Sequence, residues 1–254
     1  MHKVNQLDRR WRIGAVSYLN TRPLLLGIEQ SSSLMQQIDL VKAYPAKIAQ
    51  DLIDGTIDMG LVPVAITPFL KEAHFVSKYC IGAEGKVASV SIFSKVPMEQ
   101  IEKVYLDYQS RTSVQLARIL LAQYWKKEVE FITASEGYIE QIDGNTAGVI
   151  IGDRALAANS QFPYIYDLAD YWKQHTGLPF VFATWIANKP IPLEFMEAFD
   201  AANAYGLQHI DEVVSSIPLN EQIVDLHQYY TQNISYSFTP EKRKGLELFL
   251  KELK

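Results

Sequence analysis

Twice the chain runs from a helix end through an Asp-Gly turn into a short apolar strand. Ile53–Val62 reads IDGTIDMGLV and Ile142–Ile150 reads IDGNTAGVI. Two copies are too few for a solenoid. They predict two α/β lobes built alike, because strand–helix alternation buries short apolar strands under helices. The surrounding pattern agrees. Arg12–Val16 reads as a strand, Ile38–Ala43 as another, and Pro45–Ile53 as a helix with Gly55 just past its end. Val64–Leu70 and Glu136–Ile142 read as short helices, Val129–Thr133 and Ala147–Ile151 as strands. Leu193–Val214 reads as one long amphipathic helix, followed by helices over Glu221–Tyr230 and Thr239–Leu253. Two long β runs remain. Phe75–Lys95 leads out of one half, and the apolar Leu178–Ala187, expected to be buried on both faces, leads back. Two crossings between two lobes follow. The expected division is residues 1–94 plus 186–254 for the first lobe and 95–185 for an inserted second one. A ligand belongs in the cleft between them, at the carboxyl ends of strands.

Two strand–loop–helix junctions carry polar side chains suited to that cleft. In Lys103–Trp125, Val104–Leu106 is β-prone, Asp107–Ser110 is a polar turn, and Thr112 opens a helix with Val114, Ala117, Leu120 and Leu121 at helical spacing. Ser110, Thr112 and Ser113 cluster at its start. A helix N-terminus is a ready anion site. Thr112-x-x-Gln115 also fits a capping box, but three hydroxyls exceed what one cap needs. In the other junction Arg12–Val16 runs into Ser17-Tyr18-Leu19-Asn20-Thr21-Arg22-Pro23-Leu24, where Asn20 or Thr21 suits a cap and Pro23 a first helical turn. A third turn, Gly152-Asp153, follows the strand Ala147–Ile151, with Asp153 either a cap or a carboxylate at the cleft edge. Small residues at Ala88 and Ser89 suit close approach of a ligand or tight strand packing.

Other chemistries find no support. There is no Gly-rich nucleotide fingerprint, phosphate loop or Gly-x-Ser-x-Gly elbow. The five histidines, His2, His74, His175, His209 and His227, lack metal-ligand spacing, so no metal centre is expected. Net charge is −5 without a Lys/Arg stripe, which argues against nucleic acid and leaves anion binding to local donors. No apolar run approaches the roughly 20 residues of a membrane span. The start, MHKVNQLDRRWRIGAV, lacks an apolar stretch of signal-peptide length. With a lone Cys80, read as a buried inert thiol, the expected compartment is the cytoplasm.

Six stretches then stand in order: Val16–Leu24, Gly85-Lys86-Val87-Ala88-Ser89-Val90, Asp107–Ser113, Ile150-Ile151-Gly152-Asp153, Tyr166-Asp167-Leu168-Ala169, and Thr176–Trp185 (TGLPFVFATW). Together, from about Arg12 to the C-terminus, they resemble the chorismate dehydratase family of the futalosine route to menaquinone. The resemblance implies a two-lobed fold like the type 2 periplasmic binding proteins, no cofactor, and conversion of chorismate to 3-[(1-carboxyvinyl)oxy]benzoate with loss of water. The family's functional Asn and Ser carry over to Asn20 and Ser89, expected at the reacting centre. Ser110, Thr112 and Ser113 are expected to hold one substrate carboxylate and Arg22 the other, with Ser17, Tyr18, Gly152 and Asp153 also at the cleft. The base is Asp153 or the substrate's own enolpyruvyl carboxylate. Phe182 and Trp185 are expected to pack rather than touch ligand. Two other readings stand beside this one. The chain would be a 1,4-dihydroxy-6-naphthoate synthase-like enzyme if a cleft His existed, with His175 the nearest candidate. It would be a non-catalytic small-anion binder if it worked outside the cytoplasm. Oligomeric state is not legible.

Overall fold

A computed structural model describes residues 10–253. His2 and the N-terminal segment through Arg9 lie outside those residues. The strands are β1 Trp11–Val16, β2 Ile38–Ala43, β3 Met59–Pro63, β4 His74–Ala83, β5 Val90–Ser94, β6 Lys103–Leu106, β7 Glu130–Thr133, β8 Thr146–Ile151, β9 Tyr164–Asp167, β10 Phe180–Ala187 and β11 Ser235–Ser237. The helices that position the cleft are α1 Arg22–Gln30, α2 Pro45–Ile53, α3 Thr112–Gln123, α4 Asp153–Ala158, α5 Leu168–Thr176, α6 Leu193–Gln208, α7 Ile210–Ser216 and α8 Pro240–Glu252.

The strands form two sheets, β11-β4-β10-β3-β1-β2 and β7-β6-β8-β5-β9. Each sheet has a parallel trio with the earliest of its three strands in the middle, β2-β1-β3 and β7-β6-β8. An antiparallel strand then flanks the third member, β10 against β3 and β5 against β8. The two Asp-Gly units therefore feed equivalent strands, β3 and β8. Gly55 and Gly144 take positive φ, +73° and +52°, which is what a glycine supplies in those turns.

The division between the sheets differs from the expected residue boundaries. β5 pairs only within the second sheet, and all of β10 pairs within the first. We propose lobe boundaries near Val87/Ala88 and Leu178/Pro179. The reason is visible in the run Phe75–Phe93: the Gly85–Ser89 stretch interrupts it, and the chain changes sheet there.

β10 is buried along its length except at Ala183. Trp185 packs inside and its indole N–H donates to Asn203 Oδ1 at 3.2 Å. The long helix expected over Leu193–Val214 breaks at His209. The ring Nδ1–H of His209 donates to the Tyr205 carbonyl at 2.7 Å, the acceptor its backbone N–H would use in a continuous helix, and that N–H turns to Gly206 instead. The segment 221–230 holds only one short helical turn, Leu226–Gln228, followed by a π-helical turn, Tyr229–Asn233. Helices α1 and α6 cross in backbone contact. A Cβ at Gly27 would sit 1.7 Å from the Ala202 carbonyl oxygen, and one at Gly206 1.7 Å from that of Pro23. This contact sets the position of α1, and hence of Asn20 just before it.

Candidate active site

The carboxyl ends of β1 and β6, the central strands of the two trios, lead into helices α1 and α3 across a common cleft. Between them lies a cavity whose empty space, open mouth included, is about 540 Å³. Its polar lining is Tyr18, Asn20, Thr21, Ser89, Ser110, Thr112 and Ser113, with the Gly152 backbone. Apolar walls come from both lobes and include Leu61, Ile81, Ile151 and Phe182, so Phe182 faces the cavity where packing alone was expected. No Lys, Arg, His, Asp or Glu is among the described residues lining it.

Three of these hydroxyls share one feature. Ser110 Oγ accepts the Ser113 N–H at 3.0 Å, so Ser110, not Thr112, caps α3. Thr112 Oγ1 instead accepts the Ala65 N–H of the other lobe at 3.1 Å. Ser89 Oγ accepts from the Tyr229 hydroxyl at 2.8 Å. In each case the protein fills a lone pair and leaves the hydroxyl proton to donate. Asn20 Oδ1 accepts from Thr21 Oγ1 at 3.1 Å, which leaves its amide N–H groups as donors. Its carbonyl accepts from the Tyr236 hydroxyl at 2.9 Å. The site is therefore a set of neutral donors around an apolar pocket, an arrangement that suits an anionic ligand with an apolar ring.

The backbone carrying Ser89 is held by buried groups. Ala88 sits at φ +65°, unusual for a residue with a Cβ. Its N–H donates to the Asp167 carboxylate at 2.7 Å, and the same carboxylate caps α5 through the Ala169 and Asp170 N–H groups, each at 3.1 Å. Burial pushes the Asp167 carboxyl up, and these backbone donors pull it back. The Ser89 carbonyl accepts the Gly152 N–H at 2.8 Å. Gly152, at φ +62° and ψ −145°, occupies a region close to glycine-only, and a Cβ there would meet the Tyr18 ring at 2.8 Å.

Three sequence-predicted residues stand apart from the cavity. Ser17 and Arg22 are exposed. Arg22 lies within electrostatic reach of Asp153 and helps offset the burial that pushes that carboxyl up. Asp153 does not cap its helix; outside the cavity lining, at the cleft edge, its carboxylate accepts the Leu19 N–H at 3.0 Å, from lobe to lobe. Other bonds cross the cleft as well. Tyr18 Oη donates to Gln109 Oε1, and Arg111 Nη2 donates to Gln50 Oε1 at 2.9 Å. The conformation is closed. His175 is exposed and sits edge-on to Tyr124, away from the cavity. Cys80 is buried, and burial pushes its thiol up to about 12.

Sequence reasoning missed Tyr229, Tyr236 and Asp167. Asp167 stood in a recognised motif, and its place before a helix marks it as a cap. The two tyrosines carry no local signal, since each reaches the site from more than a hundred residues away.

The chain resembles known proteins along nearly its whole length. A family model described as menaquinone biosynthesis matches residues 11–254. A chorismate dehydratase of Thermus thermophilus is 26% identical over 271 residues, covering 91% of this chain and 96% of the relative. A chorismate dehydratase of Campylobacter jejuni is 24% identical over 251 residues, covering 95% and 96%. Among solved structures, a protein of Archaeoglobus fulgidus superposes with TM-score 0.72 at 13% identity over 97% of this chain and 96% of that one. A Candida albicans protein described as having the generic periplasmic binding protein fold superposes with TM-score 0.61 at 12% identity, covering 96% and 94%. The two-lobed architecture is of that type.

Proposed function

The chain belongs to the menaquinone biosynthesis family, and we propose that it removes water from chorismate to give 3-[(1-carboxyvinyl)oxy]benzoate. The observation that carries this reading is the cavity itself. It offers neutral hydrogen-bond donors on apolar walls, which suits a ring bearing carboxylates and a hydroxyl. The curated relatives named chorismate dehydratase support it.

The reaction needs a proton taken from the carbon that carries the enolpyruvyl ether and a hydroxide lost from the neighbouring ring carbon. The departing oxygen ends as water, and the ring becomes aromatic. Negative charge develops toward the ring carboxylate, which is conjugated with the diene. Donors aimed there stabilise the transition state more than the ground state. We assign that carboxylate to the Ser110, Thr112 and Ser113 hydroxyls at the start of α3. Asn20 and Ser89 donate to the departing hydroxyl and the developing charge. The cavity lining supplies no carboxylate or imidazole to act as base. The base in this reading is the substrate's own enolpyruvyl carboxylate, held at short range by the closed site.

Asp153 then serves closure rather than proton transfer. Asp153→Ala is expected to raise KM for chorismate about tenfold, the effect of losing a charge-assisted hydrogen bond of about 1.5 kcal/mol, with kcat changed by less than about threefold. A loss of kcat by about 100-fold or more would make Asp153 the base instead. The proposed compartment is the cytoplasm, where chorismate would be met; the buried Cys80 thiol is in keeping with it. No helix among the described residues is long and apolar enough to cross a membrane.

The direct test is purified protein mixed with chorismate, with no metal or cofactor added, followed by mass analysis. The expected result is a product lighter by one water and carrying an aromatic enolpyruvyl ether. Unchanged chorismate from a folded, monodisperse sample would overturn the reading.

A further inference from the structure

We propose that Tyr229 is a positioning residue that fixes the direction of the Ser89 hydroxyl, so that Ser89 meets its ligand as a hydrogen-bond donor. The inference rests on the dehydratase reading for what Ser89 does, and on geometry alone for how Ser89 is oriented.

Tyr229 is 2% exposed, and its hydroxyl makes one hydrogen bond among the described residues, to Ser89 Oγ at 2.8 Å. A bond between two hydroxyls can run either way. Here the alternatives are unequal. If Ser89 donated to Tyr229, the phenolic proton would be buried without an acceptor, at the full desolvation cost of that group. If Tyr229 donates, both groups are satisfied, because Ser89 faces a cavity that a ligand or water fills. The protein therefore directs the Ser89 proton into the cavity before any ligand arrives. The same logic governs Ser110 and Thr112, whose oxygens accept from backbone N–H groups. Ser89 differs in that its donor is a side chain, so one atom can be removed to test it.

The local backbone explains how Tyr229 reaches this place. Tyr229 and Tyr230 are consecutive, yet both are 2% exposed. They open the π-helical turn Tyr229–Asn233, the kind of irregularity that recurs at functional sites. Burial keeps the Tyr229 phenol protonated far above the ordinary tyrosine range. It therefore remains a donor near neutral pH.

The test compares wild type, Tyr229→Phe, Ser89→Ala and the double variant in steady-state turnover of chorismate. Tyr229→Phe removes only the oxygen. The expected result is a fall in kcat of about tenfold with KM within about twofold. The double variant should be no slower than Ser89→Ala alone, because Tyr229 acts only through Ser89. Wild-type kcat in Tyr229→Phe, or a further fall of about tenfold in the double variant, would overturn the proposal. A second measurement needs no activity. In tyrosine-labelled protein, proton NMR should show a slowly exchanging hydroxyl resonance that is lost in Tyr229→Phe and displaced in Ser89→Ala. A Tyr229 hydroxyl signal unmoved by Ser89→Ala would overturn the assigned direction. If wild-type protein leaves chorismate unchanged, the dehydratase reading fails, and the resonance still decides whether Tyr229 gives its proton to Ser89.

Discussion

Ser89→Ala is expected to lower kcat for chorismate dehydration by about 10²–10³-fold, the loss typical of removing one preorganised donor from the point where charge develops. KM should change by less than about fivefold, because the donors proposed to hold the substrate carboxylate at the start of α3 remain. Three observations make Ser89 the side chain with the most at stake. It is 0% exposed to solvent yet lines the cavity. Its backbone is fixed by the Asp167 bond to Ala88 and by its own carbonyl bond to Gly152. Its oxygen is already occupied by Tyr229. A donor prepared in this way needs no reorganisation when the ring hydroxyl departs. The variant should fold, since alanine fits the space and the loss to stability is about 1–3 kcal/mol from the unpaired Tyr229 hydroxyl. Asn20→Ala should act in the same direction. Steady-state kinetics with a thermal melt on the same samples reads both quantities. If Ser89→Ala and Asn20→Ala both retained near-wild-type turnover, the assignment of the reacting centre would be wrong.

The two lobes were legible because their evidence is local: an Asp-Gly turn followed by an apolar strand needs only ten residues to be recognised, and both copies feed equivalent strands. The strand–loop–helix junction that opens α3 was legible for the same reason. What local pattern could not do was divide roles among neighbours. Thr112-x-x-Gln115 fits a capping box, but Ser110 caps the helix and Thr112 spends its oxygen on Ala65 of the other lobe. Arg22 carries the charge expected of a carboxylate ligand, yet it follows the Leu19–Thr21 turn on the side facing solvent, in reach of Asp153. Asp153 read as a cap or a cleft-edge carboxylate, and its carboxylate accepts the Leu19 N–H across the cleft. Each of these outcomes depends on a partner from the opposite lobe, and the relative placement of lobes is not written in any window of sequence. Tyr229 and Tyr236 mark the limit, since they matter only because the chain returns to the cleft after leaving the second sheet.

Asp107→Ala is expected to destabilise the protein by roughly 3 kcal/mol and to lower its melting temperature by about 6–12 °C. The Asp107 carboxylate, with a side chain 0% exposed, accepts from Arg154 Nη2 at 2.8 and 2.9 Å, from the Tyr138 hydroxyl at 2.9 Å and from the Gln109 N–H at 2.9 Å. Removing it leaves the guanidinium uncompensated, which in buried pairs costs about 3–5 kcal/mol. The low end applies because 29% of the Arg154 side chain reaches solvent. It applies also because Tyr138 keeps a second acceptor, the Val149 carbonyl at 2.6 Å. Asp107→Asn keeps one acceptor oxygen but cannot offset the charge, so it should recover less than half of the loss. Calorimetric melts of the three proteins separate the two contributions, and a melting temperature of Asp107→Ala within 2 °C of wild type would mean that desolvation cancels the attraction in this pair. The consequence extends to the cleft. Asp107 fixes Gln109, whose side chain accepts from Tyr18 of the other lobe, and it precedes Ser110, which caps α3. A loop released at Asp107 loosens the proposed carboxylate site and the closed form together. At temperatures well below the melt, Asp107→Ala should therefore raise KM for chorismate while the fold remains intact.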